Sequence, residues 1–304
     1  MPDPIAIVGA GAWGMALAHH LARAGHPVRL WGRTRPAQPF PAPIEFALDL
    51  PAAPLTLLAV PTQHLRAVAG PLPPGGVLVA CCKGVEQHTG RLPLEILADL
   101  HPGRPAAILT GPTFAHDIAA GRPAAALIAA GDASLRARLI TQLATANLRL
   151  YGSADPLGAQ LGGAAKNVIA IAAGCVAGAG LGDSARAGLV TRGVAELARL
   201  ITALGGRPET AAGLSGLGDL VLTCTSLASR NLQLGTALGR GVPLDEALAA
   251  LPGVAEGATT APALLERAAG LDLPICTAVA RLLAGQITLP DAIAALLARP
   301  PRDE

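Results

Sequence analysis

The sequence predicts an α/β chain, with a doubly wound parallel sheet first and an all-helical domain after it. Three observations predict this. Short apolar runs alternate with helical patterns through the first half, strand signals stop near Asp155, and helical patterns then follow one another to the C-terminus. Continuously apolar strands separated by helices belong to a parallel sheet covered on both faces. A length of 304 residues accommodates two domains, and the composition shift at 152–156 divides them into 1–153 and 154–304.

In chain order, strands are expected at 4–9, 28–31, 55–60, 77–81, 106–110 and 124–129, and helices between them at 12–24, 63–69, 91–99, 114–120 and 134–144. The stretch 35–54 is Pro-rich and reads as irregular, and 299–304 reads as a frayed tail. Beyond 155 the helical patterns are broken by Gly205-Gly206, Gly241, Pro252-Gly253 and Gly270.

Composition excludes several function classes. Hydrophobic residues make up 51% and charged residues 14%, enough for a sizeable core and incompatible with global disorder. A net charge of +2 with no basic run argues against a nucleic-acid partner. Mean hydropathy is +0.47, but the longest uncharged apolar stretch, 168–182, falls short of the ~18 residues a spanning helix needs. No basic leader precedes the first strand, so a cytoplasmic protein without a membrane span is expected. The five cysteines form no CxxC pair and no metal-ligand spacing with the histidines; they read as buried small hydrophobes, with no metal. Of 23 basic residues only two are lysines, Lys83 and Lys166. Arg cannot release a proton near neutral pH and Lys can, which makes both lysines candidates for chemistry.

Gly9-Ala10-Gly11-Ala12-Trp13-Gly14 is a G-x-G-x-x-G segment placed after the first strand and opening the first helix. In a dinucleotide-binding Rossmann turn Gly9 permits the tight turn, Gly11 lets the backbone approach a pyrophosphate, and Gly14 allows close packing, with the helix N-terminus facing the phosphates. The second strand ends in Trp31-Gly32-Arg33-Thr34-Arg35, without the acid that an NAD ribose usually meets. Arg33 therefore points to a 2′-phosphate, hence NADP in preference to NAD, with NAD still accommodated.

Lys83 in Cys81-Cys82-Lys83-Gly84-Val85-Glu86 follows the fourth strand, and Gly111-Pro112-Thr113-Phe114 the fifth; both lie at carboxyl ends, where open α/β sheets bind ligands. Lys166 stands in a nearly all-apolar helix, where an ammonium needs a partner or a wet cavity. Such a lysine can donate a proton to a carbonyl oxygen receiving hydride. Ser229-Arg230-Asn231 opens a further helix, combining an N-cap, a guanidinium and an amide as a phosphate seat.

Together Gly9–Gly14, Cys82–Glu86, Gly111–Phe114 and the segments around Lys166, Asp219 and Ser229-Arg230-Asn231 resemble the bacterial NAD(P)-dependent glycerol-3-phosphate dehydrogenases over nearly the whole chain. The resemblance implies NAD(P)H-dependent reduction of dihydroxyacetone phosphate to sn-glycerol 3-phosphate for phospholipid synthesis. It implies Lys166 as the general acid/base and substrate contacts from Lys83, Gly111, Thr113, Asp219, Ser229, Arg230 and Asn231. For the cofactor it implies Ala12, Trp13, Arg33, Lys83, Ala115, Arg230, Val254 and Glu256, beside the glycines of the turn. The segment between Thr34 and Leu55 is shorter than the family pattern, so the second helix there is expected to shrink to a Pro-rich link. The residues alone leave two rivals: a reductase of another small keto acid such as ketopantoate, and a non-catalytic NADP-sensing protein, which leaves Lys166 unexplained. The Ala-rich helices of the second half suit a homodimer, although no stripe singles out an interface.

Overall fold

The computed structural model describes residues 3–37, 40–41 and 43–300. The chain forms two compact units, Met1–Glu86 with Arg91–Gln160, and Gln87–Gly90 with Leu161–Glu304.

The first unit is an eight-stranded sheet of β1 (Ile5–Val8), β2 (Val28–Trp31), β3 (Ile44–Phe46), β4 (Leu55–Leu58), β5 (Val77–Ala80), β6 (Ala106–Thr110), β7 (Ala124–Ala129) and β8 (Leu148–Ser153), in the order β3-β2-β1-β4-β5-β6-β7-β8. Strand order reverses at β1, so the crevice at its carboxyl end is the place where such a sheet receives a ligand. Ile5, Ile7, Leu30, Leu57, Val79, Leu109 and Ile128 share one core cluster with Leu17 and Leu21 of α1 (Ala12–Arg23) and Leu135 and Leu139 of α5 (Ala133–Leu143). The alternate residues Ala6, Val8, Leu58, Leu78 and Ala80 are buried as well, which is why these strands read as unbroken apolar runs.

Three expectations need correction. The sheet is mostly parallel, but β7 runs antiparallel to β6. The intervening α4 (Ala115–Ala119) has only five residues and docks on α1, where Arg23 donates to the carbonyls of Ile118 and Ala119 at 2.8 and 2.7 Å; it does not carry the chain back for a parallel return. The Pro-rich link contains β3, paired in parallel with β2; its positions 38, 39 and 42 lie outside the described residues, as do 301–304 of the tail. The remaining edge strand, β8, was not expected at all.

The other helices of this unit start where their caps dictate. In α3 (Pro93–Leu100) proline occupies the first turn and the Glu95 carboxylate accepts from Leu92 N at 2.8 Å; α5 is capped by Asp132, which accepts from Ser134 N at 2.8 Å. The side chains of α2 (Thr62–Ala69) bury Leu65 and Ala69.

Among its described residues the second unit contains helices and no strand, α7 (Asp183–Ala203), α10 (Leu244–Ala249) and α12 (Pro274–Leu283) among them. Its central helix α6 (Pro156–Gly178) has 23 residues and, with Lys166 as its one charge, is long and apolar enough to cross a membrane, contrary to the length expected from 168–182 alone. Within its most apolar window 89% of residues are buried inside the protein. Helix α9 (Arg230–Gly239) crosses it through small residues: a Cβ on Gly174 would lie 2.3 Å from Leu232 O, and one on Gly235 1.9 Å from Ile171 O. Backbones this close let α6 present Lys166 at a fixed height opposite α8 (Asp219–Thr225).

Candidate active site

In the first unit the glycine turn has the shape its sequence predicts. Gly9 sits at φ +117°, where an L side chain is strained, and a Cβ there would lie 2.7 Å from Ala59 O. On Gly14 a Cβ would meet Gly9 O at 1.7 Å, so helix and turn touch backbone to backbone. Gly11 differs, because its Cβ position faces open space. Helix α1 begins directly after it, with no side-chain cap and no acid in its first turn, leaving its first N–H groups for an anion. Ala12 is exposed and Trp13 half-buried on that turn. These residues fit the pyrophosphate of a dinucleotide.

Arg33 is exposed at the end of β2 and makes no hydrogen bond or ion pair among the described residues. Arg35 is otherwise engaged: its guanidinium lies 6.0 Å and 5.7 Å from the stacked rings of Phe40 and Phe46.

At the ends of β5 and β6 three predicted residues converge on one atom. Lys83 Nζ donates to Gly111 O at 2.9 Å, and Thr113 Oγ1 donates to the same carbonyl at 3.3 Å. Gly111 holds φ +121°, a conformation that turns the chain out of the sheet against Ala126. Ala115 opens α4 just beyond, half-buried.

The second unit holds the other lysine. The Lys166 side chain is only 9% exposed and that of Asp219 2%, with Nζ and Oδ1 3.1 Å apart. Nζ also donates to Thr223 Oγ1 at 2.8 Å, and the Thr223 hydroxyl donates to Asp219 O at 2.6 Å. The buried ammonium thus has the ion partner that its apolar helix cannot offer. Thr223 was not singled out from the sequence; its signal is the four-residue spacing from Asp219, which puts both on one face of α8. Burial pushes the neighbouring Cys224 thiol up to about 12, so it takes no part as a thiolate near neutral pH.

Ser229 caps α9, its Oγ accepting from Leu232 N at 3.2 Å, and Arg230 and Asn231 form the first turn. Arg230 is exposed, passes over Gly253 (whose Cβ would lie 3.0 Å from Nη1), and has no hydrogen-bond or ion-pair partner among the described residues. Asn231 commits one N–H to Asn167 Oδ1 at 2.8 Å and its carbonyl to Gly257 N at 3.0 Å. Asn167, another residue the sequence did not single out, therefore ties α6 to α9 beside Lys166. Val254 is exposed, and Glu256, half-buried, opens α11 (Glu256–Arg267). Among the described residues no group of three or more His, Cys, Asp or Glu is placed to hold a metal ion.

A dinucleotide cradle on one unit and a buried, ion-paired lysine on the other define a class, the nucleotide-dependent oxidoreductases. Comparison with known proteins narrows it. Residues 155–294 match the C-terminal model of the NAD-dependent glycerol-3-phosphate dehydrogenases, and 4–39 and 36–136 match the N-terminal one. The chain is 54% identical to a glycerol-3-phosphate dehydrogenase [NAD(P)+] of Acidiphilium cryptum, covering 98% of both chains. It is 52% identical to that of Cereibacter sphaeroides, over 99% of this chain and 100% of the relative. The crystal structure of the Coxiella burnetii glycerol-3-phosphate dehydrogenase superposes with a TM-score of 0.91 at 36% identity, covering 98% of this chain and 99% of that one. The chain belongs to the NAD-dependent glycerol-3-phosphate dehydrogenase family. It is an NAD(P)-dependent oxidoreductase that interconverts dihydroxyacetone phosphate and glycerol 3-phosphate, and this substrate sets aside the keto-acid reductase as this activity does the non-catalytic sensor.

Proposed function

We propose that Lys166 supplies the proton in the reaction of this family, the NAD(P)H-dependent reduction of dihydroxyacetone phosphate to sn-glycerol 3-phosphate. One observation carries the assignment: a lysine in an apolar helix of a chain with two lysines, held by a buried carboxylate at 3.1 Å. Bound at the glycine turn, NAD(P)H supplies the hydride. As the ketone carbon is reduced, negative charge develops on its oxygen; the Lys166 ammonium stabilises that charge and then gives up a proton to it. Asp219 and Thr223 hold Nζ in place through this change.

Lys83, on the Gly111–Thr113 corner, contributes a second cation for the substrate. Arg230, with Ser229 and the remaining N–H of Asn231 at the start of α9, takes the phosphate by a guanidinium fork and helix N-terminal donors. Residues 1–153 then form the cofactor domain, with Gly9, Gly11, Ala12, Trp13, Gly14, Arg33 and Ala115 as its contacts, and 154–304 the substrate domain, whose Val254 and Glu256 also reach the cofactor. The setting is the cytoplasm, supported by five free and buried cysteines and by the burial of α6. The product enters phospholipid synthesis. A second copy of the chain is a further partner, favoured by the apolar C-terminal helix α13 (Leu289–Leu297), whose Leu297 is 80% exposed.

The test is NAD(P)H oxidation on adding dihydroxyacetone phosphate to the purified protein, with ketopantoate as the comparison. Turnover is expected with the first and not the second; absence of turnover with either nucleotide overturns the reading.

A further inference from the structure

The ladder that fixes β5 ends at Cys81, whose N–H donates to Leu58 O at 2.9 Å. Two residues later the chain carries Lys83, and its next three residues are buried without being strand. The side chains reaching this turn come from α2. Gln63 Nε2 donates to Val85 O at 2.8 Å. One helical turn on, Arg66 grips the Glu86 carboxylate with two prongs, Nε to Oε1 at 2.9 Å and Nη2 to Oε2 at 2.8 Å. This fork-to-fork geometry fixes orientation as well as distance. Arg66 Nη2 also reaches Asp99 of α3 at 3.3 Å, and Asp99 lies 3.4 Å from Arg91 Nε. The backbone closes the turn from Glu86 N to Arg91 O at 2.9 Å.

Val85 is fully buried and already packs the turn against the core, and a buried carboxylate such as Glu86 costs more than an apolar residue there unless it is paired. What the paired carboxylate adds is direction. A lysine side chain is long and rich in rotamers, and a backbone free to rock beneath it multiplies the positions its ammonium can take. Fixing Val85 by its carbonyl and Glu86 by its carboxylate leaves Lys83 one backbone geometry from which Nζ meets Gly111 O.

We propose that Gln63 and Arg66, acting through Val85 and Glu86, are positioning residues for Lys83. This rests on the reading that Lys83 contacts substrate. It is tested by a mutant cycle on the full chain with dihydroxyacetone phosphate and NADPH, measuring kcat/KM and the thermal midpoint together. Gln63→Leu and Glu86→Gln are expected to lower kcat/KM on the order of 10-fold, the scale of a sub-ångström misplacement. Arg66→Lys, which keeps the charge and loses the fork, should fall between these and wild type. In a Lys83→Met background the same changes should cost less than about twofold, because no ammonium remains to be aimed. Losses that multiply in that background, or a lowered thermal midpoint with kcat/KM unchanged, would overturn the proposal. If Lys83→Met is impaired while Gln63→Leu and Glu86→Gln are not, the clamp fails alone. If Lys83→Met matches wild type, the substrate reading of Lys83 fails and the clamp with it.

Discussion

At Lys166 the charge and the proposed chemistry rest on the same contact, the ion pair with Asp219. Replacing the lysine with methionine removes the proton donor proposed above and leaves the Asp219 carboxylate, 2% exposed, without its ion partner. Lys166→Met is therefore expected to lower kcat by a factor on the order of 10²–10⁴ and stability by about 3 kcal/mol. Lys166→Arg separates the two effects, since a guanidinium keeps the ion pair and holds its proton. Stability should largely return and turnover should not, as read by urea denaturation and steady-state rates; an arginine variant within a few-fold of wild type would remove proton transfer from the role of Lys166. Arg33 makes the opposite case, a cation with no hydrogen-bond or ion-pair partner among the described residues. It is exposed at the end of β2, and the nearby Arg35 is occupied by two phenyl rings. A 2′-phosphate offers Arg33 a charge-assisted bond and a ribose hydroxyl only a neutral one. NADPH should bind more tightly than NADH at low ionic strength, and salt should narrow the gap by screening. Fluorescence titration of Arg33→Asp should show NADPH binding greatly weakened and NADH little changed. Equal wild-type affinities at low salt would refute the preference.

The glycine turn lets one element separate folding from binding. Gly14 and Gly11 stand three residues apart, yet a methyl group on Gly14 strikes Gly9 O at 1.7 Å and one on Gly11 strikes nothing. Gly14→Ala is expected to unfold or heavily destabilise the first unit, by ~3 kcal/mol or more, since neither backbone can move aside. Gly11→Ala should melt like wild type and bind either nucleotide poorly, because its methyl group occupies the space left for a pyrophosphate. Calorimetry with nucleotide titration checks both, and a Gly11→Ala protein that binds normally would mean the pyrophosphate lies elsewhere. The same contrast explains what could be read from sequence. Central strands such as Ile5–Val8 and Leu55–Leu58 are buried on both faces and declare themselves as apolar runs. The two edge strands do not. Ile44–Phe46 is three residues long among prolines with Ile44 alone buried, and Leu148–Ser153 alternates buried Leu148 and Leu150 with exposed Arg149 and Tyr151. The candidate site residues, as far as their placement goes, behave likewise. Lys83, Gly111 and Thr113 were legible because strand ends locate them; Thr223 and Asn167 were not, because their partners, Lys166 and Asn231, are brought to them only by the crossing of α6 with α8 and α9.

Over the whole molecule the two units carry buried titratable groups that respond to pH in opposite directions. In the first unit His20 of α1 is 5% exposed and its Nε2 lies 3.1 Å from Thr145 Oγ1; burial, with a smaller contribution from Arg23, lowers its pKa to about 4. The unfolded chain, with a histidine near 6.5, binds more protons than the folded one below that pH. Its contribution is therefore complete above pH 6.5 and is lost as pH falls from there toward 4. In the second unit Glu196, 1% exposed, accepts from Ile275 N at 2.8 Å and Cys276 N at 2.9 Å; burial raises its pKa against the pull of those two N–H groups. A raised carboxyl pKa has the reverse sign: stability is complete at low pH and declines as pH rises through the folded value. Acidification from pH 7 to 5 should thus weaken the first unit, by about 1–2 kcal/mol through His20, without a matching loss from Glu196 in the second. Both tryptophans, Trp13 and Trp31, belong to the first unit, whereas helical circular dichroism reports both. Urea midpoints read by tryptophan fluorescence should therefore drop further between pH 7 and 5 than those read by circular dichroism. His20→Gln, which keeps a hydrogen-bonding amide beside Thr145 and cannot take up a proton in this range, should flatten the fluorescence-detected change. A variant with the wild-type pH dependence would show that another group in the first unit carries it.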